Sequence, residues 1–190
     1  MTKKEIIDTT AKDLFWKHGF KKVSIDEICK KSHISRKTFY TYYGNKNALV
    51  ISILESMTNE MFDLFEKLIQ DESKSFSDKI TEMMQLKSEM NKGFSMEFVT
   101  DFYHPDSAEI LEFFKKVTAK SITITKEFFE KAQQRGEMNP ELDINFVMWY
   151  MQKQVEMLQS SEFQSLFSDS VTMTKQISEL LIYGIMPVQK

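Results

Sequence analysis

Residues that interrupt helices are scarce in this sequence, and this scarcity constrains its fold more than any other feature. Five glycines and three prolines are spread over 190 residues, whereas the strong helix formers Leu, Met, Lys, Glu and Gln are plentiful. A chain of this length with 42% hydrophobic residues can bury a core of its own. The composition therefore predicts an all-α protein, for which we expect about nine helices in total.

Nothing in the sequence predicts export or insertion into a membrane. The N-terminal stretch MTKKEIIDTT is polar, and no apolar run approaches the roughly 20 residues that a membrane-spanning helix needs. Cys29 is the single cysteine, so it has no disulfide partner within this sequence, which is typical of a reducing compartment. We therefore expect a cytoplasmic protein that has no membrane partner.

Cap residues divide the first 50 residues into short helices. The first helix is expected to end at Gly19, a typical C-cap. Ser24 stands three residues before Glu27 in a capping-box pattern that opens a second helix. Ser35 caps a third helix and Asn45 a fourth. Three short helices with a brief turn between the second and the third are typical of a helix-turn-helix.

Positive charge is concentrated at the N-terminal end of the chain. Residues 1–48 contain eleven Lys or Arg and five Asp or Glu, a net charge of +6, whereas the rest of the chain has a net charge of −9. A basic segment on an acidic body indicates two modules with different partners, although surface lysines can also cluster by chance. We place the boundary after residue 47, which predicts a basic module at 1–47 and an acidic module at 48–190.

The third helix has two different faces. Phe39 and Tyr43 lie four residues apart and are expected to face the core of the small domain. The opposite face can enter the major groove, where Arg or Lys donates to guanine and Tyr contacts the backbone or thymine methyl groups. We therefore predict four base-reading residues: Arg36, Lys37, Tyr40 and Thr41. A solvated polar face above buried aromatic residues is the alternative.

Groups suited to DNA phosphates flank the same helix. The hydroxyl groups of Ser24, Thr38 and Tyr42 can donate to phosphate oxygens. Lys46 lies in the first turn of the next helix, where a cation stands beside free backbone N–H groups and completes an anion site. These four residues are the predicted phosphate contacts.

Residues 6–49 resemble the DNA-binding domain of the tetracycline-repressor (TetR) family of bacterial regulators. The resemblance is carried by the stretch AKDLFWKHGFKKVSIDEICKKSHISRKTFYTYYGNKNAL, in which the spacing and the residue types agree throughout. One position departs from the family pattern, because His33 stands between the two helices where the family usually has Gly. A residue there can require a positive φ angle, which His tolerates better than most residues.

Four further helical segments are expected after residue 70. Apolar residues at helical spacing predict helices at about 80–90, 110–136, 143–160 and 173–184. The polar stretches QDESKSFSD and TDFYHPDSAE are read as breaks between them. In the second of these, Pro105 forces a turn and Asp106 is expected to cap the helix that follows.

Thirteen Met and sixteen Phe residues are present, and many of them crowd the middle of the chain. Most such residues fill a core, yet together they could line an adaptable apolar cavity. TetR-family proteins usually have a ligand pocket in their C-terminal helices, so the resemblance implies a small hydrophobic effector. It thereby implies a DNA-binding domain at 1–47 and an effector-binding and dimerisation domain at 48–190. The candidate lining residues are Met83, Met90, Phe94, Phe98, Phe102, Phe113, Phe128 and Trp149.

The last two predicted helices each have a continuous apolar stripe. One recognition helix reads few base pairs, so specific binding requires two of them, about 34–36 Å apart. Two helices from each chain can form a four-helix bundle around a two-fold axis. The predicted homodimer interface consists of Val147, Met151, Val155, Ile177, Leu180 and Leu181. The alternative is that both stripes pack against their own chain.

The sequence shows no apparatus for catalysis and no cofactor motif. The three histidines and Cys29 lack metal-ligand spacing, and there is no phosphate loop, nucleophile elbow or HExxH helix. We therefore predict a sequence-specific DNA-binding transcriptional regulator that binds palindromic operator DNA, most simply a repressor that is released by its effector. The alternative is a helical interaction or scaffold protein that has the same fold and lacks specific DNA binding.

Overall fold

In the computed structural model, residues 1–158 and 160–185 are described, and every regular element within them is a helix. The all-α prediction is therefore confirmed. The ten helices are α1 (Lys3–His18), α2 (Ile25–Ser32), α3 (Arg36–Tyr42), α4 (Lys46–Gln70), α5 (Phe76–Asn91), α6 (Met96–Tyr103), α7 (Ala108–Gln134), α8 (Ile144–Leu158), α9 (Ser161–Gln164) and α10 (Ser170–Ile185). None of the described helices combines the length and the apolar character needed to cross a lipid bilayer.

The helices form two compact units. The first unit comprises Met1–Glu60 and Gly93–Lys115, and the second comprises Met61–Lys92 and Lys116–Lys190. The first unit therefore contains α1, α2, α3 and α6, together with the N-terminal parts of α4 and α7. The second contains α5, α8, α9, α10 and the remainder of α4 and α7.

The core of the first unit joins the helix-turn-helix region to α4 and α6. Full burial of a large apolar side chain stabilises a fold by roughly 1.5–3 kcal/mol, so a core of this size can hold three short helices that would not be stable alone. Its buried members are Ile7, Ala11, Leu14, Phe15, Phe20, Val23, Ile28, Cys29, Phe39, Tyr43, Leu49, Val50, Ile53, Leu54, Phe98 and Ile110.

The N-terminal helices begin where their cap residues predict. The Ser24 side chain accepts a hydrogen bond from the Glu27 amide (3.1 Å), and Ser35 accepts one from the Thr38 amide (3.1 Å). The Asn45 side chain accepts from the amide of Ala48 at 2.8 Å. These bonds satisfy backbone N–H groups that have no partner inside the helix, which explains why each helix begins at that point.

Helix α6 is a feature that the sequence analysis missed. It spans Met96–Tyr103, so its second half coincides with the stretch TDFYHPDSAE, for which the sequence predicts a break. Ser95 caps it, accepting from the Phe98 amide at 3.1 Å, and Phe98 and Val99 are buried. The break is shorter than expected because Pro105 restricts only its immediate neighbours.

The start of α7 also differs from the expectation. The helix begins at Ala108, and its N-cap position is held by Ser107, whose hydroxyl group lies 3.5 Å from the Ile110 amide. The assignment of Asp106 as the cap was therefore wrong by one residue. Ser and Asp are almost equivalent caps, so the sequence alone does not choose between neighbours.

The second unit has its own apolar core, built from α5, α7, α8 and α10. Glu137 follows α7 and links it to the start of α5, because its carboxylate accepts a hydrogen bond from the Phe76 amide at 3.2 Å. The buried members of this core are Phe76, Ile80, Phe128, Phe129, Ala132, Met138, Ile144, Val147, Met148 and Ile185.

Candidate nucleic-acid interface

The turn between α2 and α3 has the backbone geometry of a helix-turn-helix. His33 adopts a left-handed conformation (φ 55°, ψ 34°) and is the C-cap of α2. The amide of Ile34 then donates to the Cys29 carbonyl at 3.0 Å, which closes the turn. The prediction that a residue at this position requires a positive φ is confirmed.

The inner face of α3 anchors the helix to the first unit. Phe39 is fully buried, and Tyr43, at the C-cap, is 5% exposed. The Tyr43 hydroxyl donates to the Asp8 carboxylate on α1. Burial and this hydrogen bond raise the pKa of Tyr43 above its usual value, so the phenol remains neutral. Helix α3 is thus held by one face, as its sequence pattern predicts.

The outer face of α3 brings the four predicted base-reading residues together at the surface. Arg36, Lys37, Tyr40 and Thr41 are all exposed. Arg36 Nε lies 2.9 Å from a carboxylate oxygen of Asp26 on α2, a residue that the sequence analysis did not single out. Because both members of this ion pair are well exposed, it contributes little to stability, and the guanidinium group can be redirected at small cost.

Three of the four predicted phosphate contacts have hydroxyl groups on or beside the same surface. Ser24 and Tyr42 are exposed, whereas Thr38 is half-buried and its hydroxyl group lies 3.0 Å from that of Ser35. A hydroxyl that accepts a hydrogen bond, as Ser24 does from Glu27, still has its own hydrogen to donate. All three positions are chemically suited to a phosphate oxygen.

Lys46, the fourth predicted phosphate contact, has a different environment. Its ammonium group is half-buried and donates to three backbone carbonyl oxygens, those of Phe20 (2.8 Å), Lys21 (2.9 Å) and Val23 (3.1 Å). Burial lowers the pKa of Lys46, and the nearby charges of Asp106 and Asp101 partly oppose this shift. The ammonium is therefore directed at the α1–α2 loop.

Asp101 of α6 contacts the same loop and was also missed by the sequence analysis. Its carboxylate accepts from the Lys21 amide at 2.8 Å and is almost fully buried. A Cβ atom added at Gly19 would lie 2.5 Å from this carboxylate, so Gly19 is required there by space as well as by its positive φ. No local pattern could have indicated these contacts, because Asp101 is 80 residues from Lys21 in sequence.

The predicted effector-pocket residues are divided between the two units. Four of them, Phe94, Phe98, Phe102 and Phe113, belong to the first unit, where they pack on its core. The ring of Trp16 on α1 joins this aromatic cluster, with ring centroids 5.1 Å from Phe94 and 4.6 Å from Phe98.

The other four predicted pocket residues lie in the second unit. Phe128 is buried in its core and Met83 packs against that core, whereas Met90 is half-buried and Trp149 is 53% exposed. A cavity of about 330 Å³ adjoins Phe128, with Phe76 and Ile69 as further apolar walls. Its charged lining consists of the cations Lys79, Lys131 and Arg135 and the carboxylates Glu72 and Glu137. Its size is at the lower end of the range for small-molecule sites.

The predicted dimer residues differ in their exposure. On α8, Val147 is buried and Met151 packs against the core of the second unit, while the side chain of Val155 lies outside those that the structure describes. On α10, Leu181 also packs on this core, Ile177 is half-buried, and Leu180 is 68% exposed. Part of each apolar stripe therefore packs against the core of its own chain.

Aromatic side chains on α8 and α10 are exposed as well. Phe146 and Trp149 on α8 are 56% and 53% exposed, and their rings are stacked with centroids 6.3 Å apart. Tyr183 on α10 is 80% exposed. Large apolar side chains exposed in such number on two helices are typical of an interaction surface.

Metal binding and thiol chemistry depend on how the His, Cys, Asp and Glu residues lie in the described part of the chain. No cluster of three or more His, Cys, Asp or Glu residues in that part could hold a metal ion. Cys29 lies on the buried face of α2, and burial, followed by the charge of Asp26, raises the pKa of its thiol. A buried, protonated thiol is a poor nucleophile.

Comparison with known proteins agrees with the helix-turn-helix geometry of α2 and α3. Residues 6–53 match the family model described as bacterial regulatory proteins, tetR family. The uncharacterized HTH-type transcriptional regulator YdgC of Bacillus subtilis (strain 168) is 23% identical to the chain over 191 residues, which cover 98% of this chain and 93% of that relative.

Solved structures with the same fold include two FadR proteins. The fatty acid degradation regulator FadR from Bacillus halodurans has a TM-score of 0.74 at 16% identity, covering 97% of this chain and 96% of that one. The transcriptional regulator FadR from Bacillus subtilis, in complex with stearoyl-CoA, has a TM-score of 0.68 at 17% identity, covering 96% and 99%. With the matched helix-turn-helix segment, these findings identify a DNA-binding transcriptional regulator whose residues 6–53 match the tetR family of bacterial regulatory proteins.

Proposed function

We propose that this regulator is a cytoplasmic repressor, without enzymatic activity, that binds a palindromic operator as a homodimer and is released by a small hydrophobic effector. The observation that carries the proposal is the exposed face of α3. It presents Arg36, Lys37, Tyr40 and Thr41 on a helix whose opposite face is anchored in the core. The surrounding segment of residues 1–48 has a net charge of +6.

The chemistry of this face suits the major groove. Arg36 and Lys37 can donate to O6 and N7 of guanine, while Tyr40 and the methyl group of Thr41 can contact thymine methyl groups. The hydroxyl groups of Ser24, Thr38 and Tyr42 can donate to phosphates, which fixes the position of α3 without selecting a sequence. Base selection and positioning are thereby assigned to different side chains.

Homodimer formation supplies the second recognition helix. Two copies of α3 must lie about 34–36 Å apart to read successive major grooves, and a two-fold axis makes the operator palindromic. The exposed residues Leu180, Tyr183 and Trp149 on α10 and α8 support an interface formed by these two helices. We propose that Val147, Met151, Val155, Ile177 and Leu181 also belong to that interface, either by contacting the second copy or by supporting the residues that do.

The effector is proposed from the apolar composition of the regulatory helices. The FadR structure with stearoyl-CoA shows that one protein of this fold holds a long-chain acyl ligand. In this chain, the cavity beside Phe128 combines apolar walls with three cations and two carboxylates, and this charge excess of one cation suits an apolar molecule with a polar, anionic head group. A panel of fatty acids and acyl thioesters tested for thermal stabilisation of the protein would identify such a ligand.

Selection of bound fragments from random duplex DNA tests the function directly. We expect enrichment of a palindrome, with affinity that falls steeply with salt because phosphate contacts release counterions. Failure to enrich any sequence at low salt would leave a helical interaction or scaffold protein as the better description. A reporter gene placed behind the enriched sequence then separates repression from activation, because expression falls on adding a repressor.

A further inference from the structure

The loop between α1 and α2 is held by a single side chain from α4. Lys46 donates to the carbonyl groups of Phe20, Lys21 and Val23, at 2.8, 2.9 and 3.1 Å. An ammonium group has three N–H bonds, and each is matched here by one carbonyl oxygen. A phosphate contact by Lys46 would therefore require one of these bonds to break.

The same loop is held from another direction by α6. The Asp101 carboxylate accepts from the Lys21 amide at 2.8 Å, so the loop's N–H side and its C=O side each have a charged partner. Gly19 provides the space that Asp101 occupies. The loop leads directly to Ser24, which caps α2 and is a predicted phosphate contact.

We propose that Lys46 is a positioning residue, which places Ser24 and the N-terminus of α2 on the DNA backbone through the loop, and that it does not itself bind phosphate. This inference rests on the proposed function, because it concerns binding of the same DNA. It reassigns a cation that the sequence pattern marks as a phosphate ligand. The last carbonyl that Lys46 holds, that of Val23, immediately precedes Ser24 in the chain.

The first test needs no DNA. Lys46→Met preserves most of the side-chain volume and removes all three hydrogen bonds. We expect amide hydrogen exchange at Lys21 and Glu27 to become about tenfold faster, because their acceptors are the Asp101 carboxylate and the Ser24 hydroxyl group. Lys115→Met, which removes an exposed ammonium group on α7, is the matched control and should leave both amides unchanged.

The second test measures the salt dependence of binding to the duplex obtained by selection. A phosphate ligand contributes about 0.9 to the slope of log K against log salt, and a positioning residue does not. We expect Lys46→Met to weaken binding about tenfold at every salt concentration while the slope stays close to that of the wild type. A slope reduced by about 0.9, together with unchanged exchange at Lys21 and Glu27, would overturn the inference.

A double-mutant cycle separates positioning from a general loss of stability. If Lys46 acts through Ser24, then Ser24→Ala weakens binding by the wild-type protein but has little further effect in the Lys46→Met background. Additive losses from the two substitutions would contradict the inference.

A further experiment uses the wild-type protein, so its result does not depend on whether a variant folds. In nitrogen-detected NMR of lysine ammonium groups, the Lys46 signal should be protected from exchange in the protein alone and unchanged on adding the duplex. A Lys46 signal that acquires coupling to phosphorus on DNA would refute the inference. If the wild type binds no duplex, the proposed function fails, while the exchange experiment still decides whether Lys46 holds the loop.

Discussion

Two residues at helix ends have backbone conformations that few side chains tolerate. His33 ends α2 in the left-handed region, and Gly19 ends α1 at φ 74°, ψ 155°, a combination accessible mainly to glycine. Both positions determine how one helix of the first unit leads into the next segment. Substitutions at these two positions therefore test the geometry of the DNA-binding region one residue at a time.

Gly19→Ala should destabilise the protein strongly. The unfavourable φ costs on the order of 1–3 kcal/mol, and the added methyl group would also meet Asp101, which cannot move without losing its bond to Lys21. Gly93→Ala is the matched control, because its φ is 90° but a Cβ atom there meets nothing within 4 Å. Urea unfolding should show a larger loss for Gly19→Ala; equal losses would mean that the contact with Asp101 is unimportant.

At His33, the sign of the effect should depend on the replacement. His33→Gly removes left-handed strain but adds freedom to the unfolded chain, and these two effects oppose each other. We therefore expect the free energy of unfolding to rise by only about 0–1 kcal/mol. His33→Val should cost on the order of 1–2 kcal/mol, because a branched side chain is poorly tolerated at φ 55°. Thermal unfolding of the two variants distinguishes them, and a Val variant as stable as the Gly variant would argue against strain at this turn.

At the scale of the element, α3 combines two functions in seven residues. Its buried face, with Phe39, determines where the helix lies, and its exposed face is proposed to determine which bases are selected. These roles can be separated by substitution, since Arg36 and Lys37 are exposed and make no contribution to the core.

Replacing Arg36 or Lys37 by Ala should relax base preference while the fold is retained. We expect the free energy of binding to the preferred operator to weaken by on the order of 1–3 kcal/mol. Binding to operators that are changed at the contacted base pair should weaken less. Tyr42→Phe, which removes one proposed phosphate contact, should weaken all duplexes about equally. Binding of each variant to a set of single-base operator variants provides the measurement, and an unchanged base preference in both Ala variants would place the reading surface elsewhere.

At the scale of the whole molecule, oligomeric state and DNA affinity should be coupled. The exposed Leu180 on α10 is proposed to meet a second copy, so a charge at this position opposes association without disturbing the core of its own chain. Ile177, which is half-buried, should be more sensitive to the same change.

Leu180→Glu should give a folded monomer with much weaker operator binding. Leu111→Glu, at an exposed leucine of α7 in the first unit, is the matched control and should remain dimeric. Sedimentation velocity at micromolar concentration, with circular dichroism to verify the fold, measures both. An unfolded Leu180→Glu variant would indicate an internal role for this residue, and a monomeric wild-type protein would exclude the proposed dimer.

Local features of this protein could be predicted from its sequence because their causes lie within a few residues. The caps at Ser24, Ser35 and Asn45, the positive φ at His33 and the burial of Phe39 each follow from a side chain and its immediate neighbours. The helix-turn-helix, and with it the match to the tetR family model over residues 6–53, lies in one continuous stretch for the same reason. The exposure of Arg36, Lys37, Tyr40 and Thr41 follows from helical periodicity alone.

Contacts between distant segments were decided only by the tertiary structure. Lys46 matches a phosphate-binding pattern in sequence, yet its ammonium group is directed at carbonyl groups 23 to 26 residues earlier in the chain. Asp101 and Gly19 depend on each other across α6 and α1, and Leu181 faces the core while its neighbour Leu180 does not. Periodicity shows that a side chain is apolar or charged, but its partner depends on how the helices pack, because packing brings together residues that share no local pattern.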